Sequence, residues 1–260
     1  MSTKFTRTKR KRSLSSDDFV IEQGLDPGRM PGHIAMIMDG NGRWAKKRLL
    51  NRIKGHEKGA DVVREMVRAC RKLGISILTL YAFSTENWGR PKTEVGALML
   101  LLRRFLVSEQ EELIRSNIRF NTLGRTEHLP DDVQASIHVV KKLTRHNDGM
   151  TLNLALSYGG REEITRMVRQ IARMVDSGLM TADAITERTV AEHLYTTGMA
   201  DPDLLIRTSG EMRLSNFLLW QIAYAELFFT RTLWPDFNEA ELIRILKDFQ
   251  SRDRRYGQVD

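Results

Sequence analysis

Asp39-Gly-Asn-Gly-Arg43 closes a run in which five of the six residues from Ile34 to Asp39 are apolar. Gly40 and Gly42 remove side-chain bulk, so the backbone N–H groups around Asn41 are free to face an anion, with a carboxylate and a guanidinium beside them. Three more polar clusters each follow an apolar run: Ser84-Thr-Glu-Asn-Trp-Gly-Arg90, Tyr158-Gly-Gly-Arg161 and Arg207-Thr-Ser-Gly-Glu-Met-Arg-Leu-Ser215. Asp39, Arg43, Arg90, Arg207 and Arg213 are the residue types that hold a polyanion together with a divalent metal.

Common glycine-rich readings fail. Gly40-Asn-Gly42-Arg-Trp-Ala45 matches the dinucleotide fingerprint in letters, but the second strand, with its expected ribose-binding acid, ends near Phe83, about twice as far along as that fold places it. The phosphate-loop, nucleophile-elbow and H-E-x-x-H zinc patterns are absent; His56-Glu57 lacks the second histidine. A Mg²⁺-diphosphate site remains, for which Asp39 and Glu226 are the candidate carboxylates. Asp39 could equally cap a turn, and Glu226, between Ala225 and Leu227-Phe228-Phe229, could be ion-paired with an arginine in the core.

The elements that must position these groups alternate. Strands are expected at Ile34–Met38, Ile75–Phe83, Ile118–Leu123, Thr151–Leu156, Leu204–Arg207 and Glu226–Phe229. Helices are expected at Lys58–Leu73, Glu94–Ser116, Asp131–Arg145, Glu162–Val175 and Glu239–Gln250, with a shorter piece at Val190–Tyr195. This is an α/β pattern: a single domain with a mostly parallel central sheet of about six strands flanked by helices. If the strands are parallel, the four polar clusters share the carboxyl rim, where such sheets bind ligands. Leu98-Met-Leu-Leu-Leu102 is apolar on every helical face, which suits a helix buried in the core.

The 260 residues are 41% apolar and 28% charged, an ordinary soluble balance with enough chain for a large core. The lone Cys70 forms no internal disulfide and fits a reducing compartment. Six of the positive charges behind the net +8 lie in residues 1–12. Residues 1–30 therefore read as a basic, poorly ordered extension and residues 31–260 as one folded domain. The rest of the chain is only mildly basic, which argues against nucleic acid. No apolar segment is long enough to span a bilayer, so a cytoplasmic protein is expected.

HIAMIMDGNGRWAKK, LTLYAFSTENWGRP, LNLALSYGGR and DLLIRTSGEMRLSNFLLWQIAYAELFF with LWPDF strongly resemble the cis-prenyltransferases, undecaprenyl diphosphate synthase being the nearest type. The likeness runs from about His33 to Gly257. It implies a transferase that condenses isopentenyl diphosphate onto an allylic diphosphate, of which farnesyl diphosphate is the expected one, with cis double bonds. The implied product is a long polyprenyl diphosphate such as undecaprenyl diphosphate, precursor of a cell-wall lipid carrier.

Carried over by position, the resemblance makes Asp39 the essential carboxylate at Mg²⁺ and the allylic diphosphate. Gly40, Asn41, Gly42 and Arg43 become the diphosphate cradle, with Trp44, Arg52 and His56 as further contacts. Ser84, Thr85, Glu86, Trp88 and Arg90 form the next substrate loop, with Asn87 as the assigned proton acceptor. Arg207, Arg213, Leu214 and Ser215 match the isopentenyl diphosphate site, and Glu226 the second metal carboxylate. Arg255-Tyr256-Gly257 matches a segment that reaches a neighbouring subunit, implying a homodimer. Ala82 is small where bulk would obstruct a growing chain, and Met150 falls near the family's far tunnel end. Met212 stands where some members carry a histidine and receives no metal role. The apolar product allows a peripheral contact at the inner membrane surface. A noncatalytic partner subunit would share the fold but lose site residues retained here, and a basic nucleic-acid-binding protein would leave the rim clusters unexplained.

Overall fold

A computed structural model describes residues 15–252. Its strands are β1 (His33–Ile37), β2 (Ile77–Ser84), β3 (Ile118–Leu123), β4 (Met150–Tyr158), β5 (Leu204–Arg207) and β6 (Glu226–Phe229). They form one sheet in the order β3-β4-β2-β1-β5-β6, and every pairing is parallel. The helices are α1 (Ser16–Glu22), α2 (Asn41–Lys47), α3 (Arg52–Lys72), α4 (Lys92–Ser108), α5 (Gln110–Arg115), α6 (Asp131–Thr144), α7 (Gly160–Asp176), α8 (Glu187–Glu192) and α9 (Glu239–Gln250).

Burial on both sheet faces explains why β1 is a continuous apolar run. Ile34 and Met36 pack into the larger core with Val62, Val63 and Met66 of α3, Leu106 of α4 and Leu246 of α9. Ala35 and Ile37, pointing the other way, pack with Leu205, Phe217 and Leu218. The Asn51 side chain caps α3 by accepting the Lys54 amide at 3.0 Å, and Gly74 at φ +74° follows its end. The chain starts at β1, moves outward through β2, and crosses back after β4 to place β5 on the other side of β1. That reversal opens a crevice at the carboxyl ends of β1, β2 and β5.

Several expectations change. Residues 15–30 are not a loose lead-in: α1 has a capping box at Ser15 and Asp18, and Val20 and Leu25 are buried in the main core. The glycine loop is the start of a helix, α2. The helix expected from Lys58 begins at Arg52, two turns earlier. The helix expected over Glu94–Ser116 breaks at Glu109 into α4 and α5, and the short piece lies at Glu187–Glu192 rather than Val190–Tyr195. Propensity does not register such breaks, because a single residue with ψ near zero turns the chain without a glycine or proline.

Candidate active site

Asp39 lies two residues beyond β1, and its turn is locked by Thr208: the Asp39 amide donates to Thr208 Oγ1 at 3.0 Å, and that hydroxyl donates to Asp39 O at 2.6 Å. Asp39 Oδ2 then faces two guanidiniums, Arg207 at 3.0 Å and Arg43 at 3.1 Å. Burial pushes the Asp39 carboxyl up, but the Arg207 hydrogen bond and the Arg43 charge outweigh it and hold the group below its ordinary value. Arg207 is buried, with its side chain 4% exposed. It also donates to Ser215 Oγ at 2.7 Å and to the Arg213 carbonyl. Its Nε has no protein partner. Arg43 is held from outside by the Ser209 carbonyl at 3.1 Å and by Glu211 at 2.9 Å.

Gly40 sits at φ +113°, and a Cβ there would meet Leu233 at 3.0–3.1 Å, so only glycine fits. It offers no side chain to cap α2, leaving the first amides of that helix to an incoming acceptor. Helix α2 in turn lies against α3 at Gly55, where a Cβ would stand 2.1 Å from the Asn41 carbonyl. This close approach brings Arg52 and His56 of α3 to the same rim.

Arg52, His56 and Arg90 converge on one carboxylate, Glu94 in the first turn of α4, at 3.2, 3.6 and 3.0 Å. Glu94 is 11% exposed. Burial, followed by the Arg90 charge, lowers the His56 pKa to about 4, so the ring is neutral at pH 7. Its buried Nε2 has no hydrogen-bond partner. The sequence singles out Arg52, His56 and Arg90 but not Glu94. An acid four residues after Arg90 was visible, but its meeting with α3 is a tertiary fact.

The Ser84–Arg90 segment is a short 3-10 turn at Thr85–Gly89. The Ser84 amide donates to Asn87 Oδ1 at 3.3 Å. Trp88 is an anchor, donating to Ser157 Oγ at 2.9 Å and packing edge-on against Phe83. Asn216, also not anticipated, ties three loops. Its side chain donates to Glu86 at 2.9 Å and accepts the Arg161 amide at 2.8 Å, while its carbonyl accepts the Gly160 amide at 2.7 Å. Ser209, Ser215, Asn216 and Leu218 all have positive φ, so this rim loop carries more strained backbone than its side chains would choose.

From this rim a cavity of about 610 Å³ runs inward. Its mouth includes Asp39, Asn41, His56, Glu86, Asn87, Arg90, Arg207 and Ser215. Its walls are apolar: Ala60 and Val63 of α3, Ala82 and Phe83 of β2, and Leu98, Met99, Leu101, Leu102 and Phe105 of α4. Leu100 is 45% exposed, so the helix expected to be apolar on all faces turns one leucine to solvent.

Other expected residues do not line the cavity. Trp44 donates to Asp236 at 2.7 Å and stacks under Arg48, away from the cavity lining. Arg213 is mostly exposed and pairs with Glu211 at 2.5 Å, and Leu214 packs against the second core. Met150 is buried at the start of β4 and does not line the cavity. Glu226 opens β6, level with Leu204, and so lies on the amino rim, paired with Arg252 at 2.5 Å. Within one chain it does not join Asp39. The Arg255 expectation falls outside the described residues.

Residues 37–257 match the family model described as putative undecaprenyl diphosphate synthase. An isoprenyl transferase of Geobacter sulfurreducens is 52% identical over 236 residues, covering 91% of this chain and 96% of that one. That of Halalkalibacterium halodurans is 46% identical over the full length of both. Among solved structures, lavandulyl diphosphate synthase of Lavandula x intermedia, in complex with dimethylallyl diphosphate, superposes with a TM-score of 0.87 at 40% identity, over 89% of this chain and 100% of that one. A probable undecaprenyl diphosphate synthase of Campylobacter jejuni gives 0.72 at 35% identity, over 88% and 99%.

Proposed function

The chain belongs to the prenyltransferase family of undecaprenyl diphosphate synthase type, and from that premise we propose farnesyl diphosphate as its primer and a long polyprenyl diphosphate, such as undecaprenyl diphosphate, as its product. It is a cis-prenyltransferase, an enzyme that elongates an isoprenyl chain from isopentenyl diphosphate. The observation that supports the finer reading is the joining of a cationic rim to an apolar-walled cavity: the rim suits a diphosphate and the cavity a hydrocarbon tail.

The α2 amides, Arg43, Arg52 and Arg90 bind the allylic diphosphate and stabilise the charge it gains as its C–O bond breaks. Arg207, between Asp39 and Ser215, orients the isopentenyl diphosphate. Asn87, fixed through its Oδ1 by the Ser84 amide, is too weak a base to remove a proton. It positions the isopentenyl unit so that a phosphate oxygen takes the proton. The walls from Ala82 to Phe105 keep water from the electron-poor allylic carbon.

The donor set admits Mg²⁺ on limited terms. No group of three or more acids, histidines or cysteines is placed to hold an ion among the described residues, but Mg²⁺ carried by diphosphate oxygens needs only one or two carboxylates. Asp39 supplies one. Mg²⁺ held there would supply charge neutralisation for the departing diphosphate. The edge strand β6, with Leu227 exposed on it and Trp220 and Tyr224 exposed in the turn that precedes it, supports a homodimer, since sheet edges invite pairing. No helix among the described residues is long and apolar enough to cross a membrane. We place the enzyme in the cytoplasm, with its product delivered at the inner membrane surface.

Purified protein incubated with farnesyl diphosphate, labelled isopentenyl diphosphate and Mg²⁺ gives long extractable product, lost with chelator and with Asp39→Ala. No incorporation from any allylic primer by folded protein overturns the reading.

A further inference from the structure

We propose that Arg64 and Glu109 are positioning residues for product length, holding Phe105 as the far wall of the cavity; this rests on the chain-elongation reading above. Helices α3 and α4 both start at the carboxyl rim and run side by side, and they are tied by polar and charged groups at two places. The first is Glu94 with Arg52 and His56, at the mouth. The second is Glu109, whose Oε1 accepts from Arg64 Nε at 2.6 Å. Fifteen residues separate Glu94 from Glu109, about 22 Å at the helical rise of ~1.5 Å per residue. The apolar walls lie between these two ties.

The inner tie is built with more than one contact. Arg64 also donates to Ser108 Oγ at 3.2 Å and to Asp61 at 3.0 Å, and Ser108 Oγ donates to Glu109 Oε1 at 2.9 Å. The Glu109 carboxylate is only 12% exposed. The Phe105 ring is held by the Arg64 guanidinium, whose carbon lies 5.5 Å from its centroid and which Glu109 and Ser108 fix in place. Glu109 is also where α4 breaks. Phe105 is the last α4 residue on the cavity wall, and Val63, the last α3 residue there, immediately precedes Arg64. None of Arg64, Ser108 and Glu109 lines the cavity itself. Their contribution is to fix a ring that does. A growing chain that reaches this end meets Phe105 in one fixed position, and releasing the ring deepens the space available.

The test sizes the products of Glu109→Gln, Arg64→Met and Phe105→Ala made from farnesyl diphosphate and labelled isopentenyl diphosphate. Each variant is expected to extend the longest product by at least one isoprene unit. KM for both diphosphates stays within about twofold, because the cationic rim is untouched. The Glu109→Gln/Arg64→Met double variant is expected to match the singles, since both act through the same ring. Arg64→Lys, which keeps the charge but loses the fork, serves where a charge-removing variant does not fold. Unchanged or shorter products from folded Glu109→Gln and Arg64→Met overturn the proposal, leaving the pair with stability alone. If the wild-type chain incorporates no isopentenyl diphosphate, the functional reading fails first, and the two failures are distinct.

Discussion

Asp39 and Glu226 are both carboxylates paired with arginine, yet they stand on opposite rims of one sheet. Ile34 is level with Leu204, and Leu204 with Glu226, so Asp39 lies five strand residues further on, about 16 Å at ~3.3 Å per residue. Asp39 sits at the carboxyl rim among four loops, two guanidiniums and free helix amides. Glu226 sits at the amino rim against Arg252, whose guanidinium also covers Phe228. The amino rim otherwise holds buried structural polar groups: His33 bonds the Ala200 carbonyl at 2.7 Å and Thr79 Oγ1 at 2.8 Å. Residue type alone therefore does not bring a carboxylate to the ligand-binding rim. The direction of the strand beneath it does.

The largest expected effect falls on the carboxyl rim. Asp39→Asn lowers kcat/KM by about 10³-fold while the protein stays folded, the scale of losing a preorganised charge in a water-poor site; a loss under tenfold breaks the comparison. For Glu226 the same separation sets a sharper condition, because it can meet a substrate at Asp39 only if another chain brings it there. If Glu226→Gln is also strongly impaired, mixing it with Asp39→Ala chains restores activity, since the hybrid dimer then holds one site with both carboxylates intact. Steady-state assay of the mixture reads this, and no recovery excludes Glu226 from the site.

Smaller effects separate binding from stability. Glu94→Gln removes the carboxylate that holds Arg52 and Arg90 in place at the rim, so both lose their fixed orientation and KM for the allylic diphosphate rises about tenfold, the loss of roughly one charge-assisted hydrogen bond to the substrate. KM for isopentenyl diphosphate changes less than twofold, and equal changes in both would count against separate subsites. On the amino rim, burial lowers the His33 pKa to about 4, against the opposing pull of the Ala200 hydrogen bond and the Asp203 charge. The unfolded chain then binds the extra proton between pH 6.5 and 4, so stability is full above that window and falls as pH drops through it. The expected loss is about 2 kcal/mol between pH 6.5 and 5. His33→Gln flattens that slope in denaturant unfolding, and an unchanged slope assigns the acid sensitivity elsewhere.

Much of the fold was legible because its signals are local. The strands are mostly apolar runs closed by glycine or polar residues, with β3 interleaving Arg119, Asn121 and Thr122, and β3, β5 and β6 fall at their expected bounds. The glycines around Asn41 marked a polar cluster on the carboxyl rim, although the segment is a helix start rather than a loop: a glycine at φ +113° looks the same in sequence whether it closes a turn or caps a helix. The grouping of Arg52, His56 and Arg90 around Glu94 was not legible. It depends on α2 and α3 touching at Gly55 and on α4 starting beside them.

The sequence by itself determined which residues could carry charge, where strands and helices alternate, and that the polar clusters follow strands, because side-chain chemistry and periodicity are properties of neighbours in the chain. Only the tertiary structure decided which rim each cluster occupies. Parallel pairing put Asp39, Arg90 and Arg207 together and sent Glu226 away, and the packing of α3 against α4 gave the cavity its apolar wall. Strand direction and helix packing are set by contacts between residues far apart in sequence, which no local pattern encodes.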